Sequence, residues 1–255
     1  MRSYRSFLIF LVSLALLTGC SRHKQARVAV PPPPAAEPSS QPENRPAPKP
    51  ESVPPGHEPA NADANLSIPA NAVPLSTEVG KASWYGAPYH NRRTSNGEIY
   101  NMNAMTAAHR TFPLGSIVRV TNVKTGHTAL VRITDRGPFV KGRVLDVSYA
   151  AAKRLDIWQP GIASVKIELM QTPTSLTKSG RWAVQIGSFG SEKQASTLAD
   201  HLTRRYRSAT VTKFLSPVGV WWVRVRVFND DRQRAEALAQ ETETGNASVY
   251  VVRLD

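Results

Sequence analysis

TALVRITDRGPFVKGRVLDVSYAAAKRL, residues 128–155, carries the information that decides the fold. Its first eight residues, TALVRITD (128–135), alternate or run apolar, as a strand with a buried face does. Arg136-Gly137-Pro138 follows as turn punctuation. Ser148 then stands as an N-cap before Tyr149-Ala150-Ala151-Ala152-Lys153-Arg154-Leu155, a short helix. Outward from this stretch, IVRVTNV (117–123) and SVKIEL (164–169) repeat the strand pattern, with Thr125-Gly126 as a second turn. Several short strands and one helix within 80–170 predict a small closed β-barrel.

A second unit, 180–255, contains an internal repeat. WAVQIGSF (182–189) aligns with WWVRVRVF (221–228). Each is followed by an amphipathic helical stretch, Glu192 to Tyr206 and Asp230 to Glu241. Each helix leads into a short apolar strand, Ala209 to Phe214 and Ser248 to Leu254. The order βαββαβ places both helices on one sheet face and leaves the other face for a ligand.

The 255 residues divide unevenly in composition: 14 of the 20 prolines fall between Cys20 and Thr77. That stretch cannot bury a core and reads as a disordered linker over 20–79. Its densest part, 31–59, extends at about 3.1 Å per residue and spans roughly 90 Å. Ahead of it, Arg2 and Arg5 precede an apolar run from Phe7 to Leu17, too short to cross a bilayer. This is the pattern of a secretory signal over 1–19. The run ends Leu17-Thr18-Gly19-Cys20, so the chain's single cysteine stands at the signal's end and no intramolecular disulfide forms. The net charge is +13, of which 80–170 carries 13 basic against 5 acidic residues. Such a surface suits an acidic partner: nucleic acid, anionic lipid or an anionic polymer.

Few residues in the barrel segment offer chemistry. Glu168 beside Lys166 and Asp156 beside Arg154 read as solvated surface. Asp146, between Leu145 and Val147, reads as at least partly buried. Asp135 closes an apolar strand, where desolvation raises a carboxyl pKa and makes a general acid. Spacing alone favours the plainer role of a turn-initiating aspartate bonded to backbone amides. Glu98 lies in a polar loop, Thr94-Ser95-Asn96-Gly97-Glu98, in which Gly97 permits a positive φ. His109 is a lone histidine in a mixed segment, more often structural than catalytic. Trp84, Tyr85, Tyr89 and Trp158 lie near polar loops as sugar-stacking platforms do, with core packing the alternative. The histidines have no metal-ligand spacing, and no phosphate loop or GxSxG elbow occurs, so neither metal nor cofactor is called for.

ASWYG (82–86), RRTSNGEIYNMNAMTAAHRTFPLG (92–115), VRVTN (118–122) and VRITDRGPFVKGRVLDVSYAAAKRL (131–155) together resemble the rare lipoprotein A family. The resemblance implies a mainly β chain: a six-stranded double-psi β-barrel over 80–170, a short linker at 171–179, and a small α+β SPOR domain over 180–255. It implies an endolytic peptidoglycan lytic transglycosylase that cleaves MurNAc–GlcNAc β-1,4 bonds in strands stripped of stem peptides. The products are 1,6-anhydro-MurNAc ends, formed at the division septum. Carried over by position, the active-site residues are Asp135, His109 and Glu98, with Asp146 matching an aspartate of related barrels. Trp84 and Tyr85 of ASWYG, with Gln185, Ser188 and Trp222 of the SPOR-like unit, are the substrate-binding candidates. Leu17–Cys20 resembles a lipobox, which implies lipidation of Cys20. Ser21 in the next position implies the periplasmic face of the outer membrane. Divisome proteins are further partners in this reading. The chain departs from the family at Asn101, where an aspartate is common, and in VRVRVF, which lacks a following glycine turn.

The chemistry suits so few acids. A hydrolase needs two carboxylates, whereas here the C6 hydroxyl of the muramic acid attacks its own anomeric carbon, and one group serves as acid and then base. The alternatives are a non-catalytic lipoprotein that binds denuded septal peptidoglycan, and nucleic-acid binding suggested by charge alone. An aspartic protease is disfavoured by the lack of Asp-Thr-Gly or Asp-Ser-Gly.

Overall fold

The computed structural model describes residues 66–176, 180–216, 218–242 and 248–255. The signal segment and residues 20–65 of the linker, Cys20 included, lie outside these residues, as do 177–179. At its other end the stretch read as linker over 20–79 gives way to a strand from Ser76 onward.

Six strands form the first domain: β1 (Ser76–Tyr85), β2 (Thr106–His109), β3 (Ile117–Asn122), β4 (Thr128–Asp135), β5 (Arg143–Ser148) and β6 (Ile162–Gln171). They close in the order β1-β5-β2-β4-β3-β6, the six-stranded barrel that the family resemblance implies. β1 pairs with β5, and β2 with β4, in parallel; the other pairs are antiparallel. Alternation fills the interior with Val118, Val120, Val131, Ile133, Leu145, Val147, Val165, Ile167 and Leu169, all fully buried. Helix α1 (Tyr149–Arg154) begins as its sequence dictates, with the Ser148 hydroxyl accepting from the Ala151 amide. It lays Ala151 and Ala152 on the core. Because Leu145 is sealed among these chains, Leu145→Ala is expected to cost about 2–5 kcal/mol, read as a lower denaturation midpoint at unchanged m-value.

Between β2 and β4 the register slips: Ala107 faces Ile133, but Ala108 faces Asp135. The extra residue on β4 is Thr134, a bulge at the strand's last turn of alternation. Strict alternation would send Asp135 inward with Val131 and Ile133. Beyond the bulge it instead reaches the surface in part.

The second domain has β7 (Trp182–Phe189), α2 (Glu192–Arg205), β8 (Thr210–Leu215), β9 (Trp221–Arg226), α3 (Arg232–Thr242) and β10 (Ser248–Arg253). Its antiparallel sheet runs β10-β7-β9-β8. Val184, Ile186, Val223 and Val225 pack beneath Ala195, Leu202, Ala235 and Leu238 of the two helices. The opposite face is not left free. Trp222 is only 6% exposed and Gln185 1%. Phe139, from the loop after β4, meets Trp222 at 5.3 Å and Tyr250 at 5.7 Å between ring centroids. Gly187 makes room for Trp222, since a Cβ there would lie 2.4 Å from the indole. Main-chain bonds join the same two surfaces: Arg253 N–H to Arg110 O, and Leu114 N–H to Asp255 O. A sheet face read from one repeat cannot reveal that a neighbouring barrel covers it.

Candidate active site

Asp135 sits at the end of β4, where the bulge and the Arg136-Gly137-Pro138 turn bring it to the surface. Its Oδ1 accepts three hydrogen bonds: from the Ser95 amide (3.0 Å), the Ser95 hydroxyl (2.5 Å) and the Arg136 amide (2.8 Å). Among the described residues no hydrogen bond reaches Oδ2. Burial pushes the Asp135 pKa up, and the Ser95 and Arg136 bonds offset only part of that rise. The carboxyl is thus biased toward its protonated form, with one oxygen fixed and the other open, which is the arrangement of a general acid.

Ser95 is delivered by the loop 94–98, which folds on itself. Thr94 N–H donates to Glu98 O, the Thr94 hydroxyl lies 2.6 Å from Asn96 Oδ1, and that oxygen also accepts from the Glu98 amide. Gly97 takes φ +92°, a conformation that side chains resist. The loop is fastened to β4 at a backbone bond from Asn96 N–H to Thr134 O, 3.1 Å, and at a two-pronged pair from Arg132 to Glu98, 2.8 Å in each arm. Arg132 holds the Glu98 carboxyl below its usual pKa, so Glu98 is an anion and donates no proton.

Asp146 lies on β5, level with Ser83 of the parallel neighbour β1. It accepts from the Ser83 hydroxyl at 2.7 Å and pairs with Arg143 at 3.3 Å. Burial raises its pKa as well. Asp135 and Asp146 flank the same residue of β2, Ala108, from its two neighbouring strands. The charges of both contribute to raising the Tyr85 and Tyr89 pKa values, chiefly raised by burial. Tyr85 stacks on Tyr100 at 4.3 Å and meets Tyr89 edge-on at 5.8 Å, while the Tyr100 hydroxyl donates to Tyr85 O.

The sequence candidates therefore separate. Asp135, Glu98, Asp146 and Tyr85 come together. His109 does not join them on the cleft surface: it is 3% exposed, its Nδ1 accepts from the Thr111 and Phe112 amides, and its Nε2 lies 3.1 Å from Glu78. Burial lowers its pKa despite that carboxylate. With both nitrogens engaged, the ring orders the 109–112 turn and cannot orient a sugar directly. Trp84 packs on the barrel core, on the strand face opposite Tyr85. Trp158 is exposed beside Tyr149. Gln185 and Trp222 lie under the barrel surface, whereas Ser188 is exposed. Glu168, read as solvated, is 7% exposed and held by Arg119 and Lys166, because β6 is paired on both sides.

Ser95, Arg132 and Glu78 escape the sequence reading. Ser95 lies 40 positions from Asp135, and no spacing rule joins them. Arg132 had a faint signal, a cation three residues before Asp135 on one strand.

Residues 77–167 match the lytic transglycolase family and 178–253 the SPOR domain. The endolytic peptidoglycan transglycosylase RlpA of Neisseria meningitidis serogroup A is 40% identical over 177 residues, 68% of this chain and 74% of that protein. RlpA of Vibrio cholerae serotype O1 is 37% identical over 190 residues, 69% of this chain and 68% of that one. Among solved structures, the apo expansin of Clavibacter michiganensis is 15% identical, covering 70% of this chain and 86% of its own, at a TM-score of 0.32.

Proposed function

Because the chain belongs to the RlpA family of endolytic peptidoglycan transglycosylases, we propose that Asp135 is the one group that carries protons in its reaction. The chain is a lytic transglycosylase that cleaves peptidoglycan and associates with the septal wall through its SPOR domain. The supporting observation is the lopsided Asp135 carboxyl, with three donors on Oδ1 and none on Oδ2 among the described residues.

The steps follow from that geometry. Oδ2–H protonates the glycosidic oxygen as its bond to the muramic C1 breaks. The C6 hydroxyl of the same sugar attacks C1, and the Asp135 carboxylate takes the hydroxyl proton. No water enters, so no second carboxylate is needed. Tyr85 and Tyr89, both partly exposed, supply aromatic faces for the sugars, with buried Tyr100 stacked behind Tyr85 and Asp146 an acceptor beside them. Glu98 tunes Asp135 from a distance. His109 supports the site through the turn it orders, not through contact with the sugar.

In this reading the substrate is denuded glycan, whose exposed lactyl carboxylates suit a segment with 13 basic and 5 acidic residues. A lipid on Cys20 and the proline-rich spacer hold the enzyme at the outer membrane within reach of the wall. Digestion of denuded sacculi by wild type beside Asp135→Asn tests the chemistry. Of the SPOR-domain positions, exposed Ser188 remains the candidate for glycan binding, whereas Gln185 and Trp222 are covered. A fluorescent fusion of 180–255 is expected to gather at the division site; a uniform rim would place the targeting signal elsewhere.

A further inference from the structure

We propose that the loop 94–98 is a clamp that fixes the proton of Asp135, with Ser95 as the positioning residue and Glu98 acting through it. This rests on the reading of Asp135 as the acid. The motif Thr94-Ser95-Asn96-Gly97-Glu98 makes no other tie to β4 than those three, at Arg132, Thr134 and Asp135, among the described residues.

Each tie has a separate task. The Arg132–Glu98 pair sets the far end of the loop, half-exposed but with both arms at 2.8 Å. The Asn96–Thr134 backbone bond sets its height on the strand. Together they leave the Ser95 amide and hydroxyl both facing Oδ1. Two donors from one residue, joined by the Arg136 amide, saturate that oxygen as an acceptor. A carboxylic acid whose Oδ1 receives three donors carries its proton on Oδ2. The clamp therefore decides which oxygen is acidic, and the side chain cannot rotate by half a turn without breaking all three bonds. Glu98 stands at the other end of the loop and never touches Asp135, so any effect it has on the acid passes through Ser95.

The charged and titratable groups around Asp135 come from several elements: Arg136 in its own turn, Tyr85 of β1, Tyr89 and Tyr100 in the loops, and Arg224 of β9. Ser95 differs from all of these in bonding one named oxygen through its side chain, Arg136 reaching the same Oδ1 only through its backbone amide. Its hydroxyl bond favours the carboxylate, so its removal raises the Asp135 pKa.

The full chain is compared as wild type, Ser95→Ala, Ser95→Thr, Glu98→Gln and the Ser95→Ala/Glu98→Gln double variant. The readouts are the ¹³C carboxyl titration of Asp135, the pH profile of anhydro-product release from denuded sacculi, and Tm. Ser95→Ala is expected to move the Asp135 midpoint and the alkaline limb of the profile to higher pH. It should also lower kcat by about tenfold, the effect of losing one charge-assisted bond, at near-constant Tm. Ser95→Thr restores both, since Ser95 is exposed and a methyl has room. Glu98→Gln moves the midpoint the same way by less, and the double variant is no worse than Ser95→Ala alone. An unmoved midpoint in Ser95→Ala, or additive losses in the double variant, would overturn the clamp. Variants that shift the midpoint as described, beside a wild type that releases no anhydro product, would instead remove the acid assignment and leave the clamp standing.

Discussion

Asp135→Asn is expected to reduce the release of 1,6-anhydro products from denuded sacculi by about 10²- to 10⁴-fold, the range that acid–base groups supply. The substitution keeps shape and most contacts. An asparagine Oδ1 still accepts from the Ser95 amide, the Ser95 hydroxyl and the Arg136 amide, while an NH₂ group replaces the acidic oxygen. What is lost is the exchangeable proton. Stability should move in the other direction. The folded-state pKa of Asp135 lies above its ordinary value, chiefly through burial. A raised carboxyl stabilises the fold below its unfolded pKa, and that contribution is lost as pH rises through the folded value. Above its raised folded-state pKa the wild type therefore bears a buried charge that asparagine does not. Asp135→Asn is expected to melt no lower than wild type at pH 7, with any advantage vanishing toward acid pH. Inactivity with retained stability marks a functional residue. Full product from Asp135→Asn would remove it from the chemistry, and a large fall in Tm would make it structural.

Arg136→Ala is expected to cost about 3 kcal/mol of stability, or a fall in Tm of roughly 6–12 °C. Arg136 is 7% exposed, and its guanidinium donates to His109 O (3.1 Å), Phe112 O (2.7 Å) and Asp255 O (2.6 Å). The first two bonds hold the turn that His109 orders; the third reaches the second domain. Burial, with Arg253 and Arg224 nearby, brings its pKa down to about 9, so the cation is held at a cost that the three carbonyls offset. Alanine removes those donors and leaves three oriented acceptors behind. Arg136→Lys, with a single ammonium, should recover only part of the loss. Urea unfolding and limited proteolysis of 180–255 check this. A change under about 1 kcal/mol would mean that the joint between the domains contributes little.

Where the sequence could be read, local rules sufficed. Ser148 caps α1 through its own hydroxyl, as the Ser-Tyr-Ala-Ala pattern implies. The Trp182/Trp221 repeat yields both helices and all four strands of the second domain to within two residues at most ends. β2 was harder: four residues, TAAH, hold no alternation to detect, and only pairing with β4 and β5 makes them a strand. The site was legible in part. Asp135, Glu98 and Asp146 carry chemistry that spacing can suggest. The register slip at Thr134 that exposes Asp135, and the return of Ser95 across 40 residues, arise from barrel closure and leave no local trace. Glu168 shows the same limit, since alternation marks it as outward but not that Arg119 and Lys166 will cover it. The burial of Gln185 and Trp222 depends on a second domain's surface, which no pattern within 180–255 encodes.

The closing of the barrel has a kinetic side. β6 pairs with β1 along one edge and with β3 along the other, joining Ser76 to Leu169 across the whole domain. Until β6 is available, β1 and β3 are open edges whose amides and carbonyls can recruit any extended segment. Contacts of such long sequence separation form late and slow the search for the native state. The last strand of the domain is thus the one that seals it, and a chain still emerging or still crossing a membrane has no finished barrel to protect. Residues 162–171 work as the latch of the folding reaction, and the enzyme gains its active shape only when that latch has passed through.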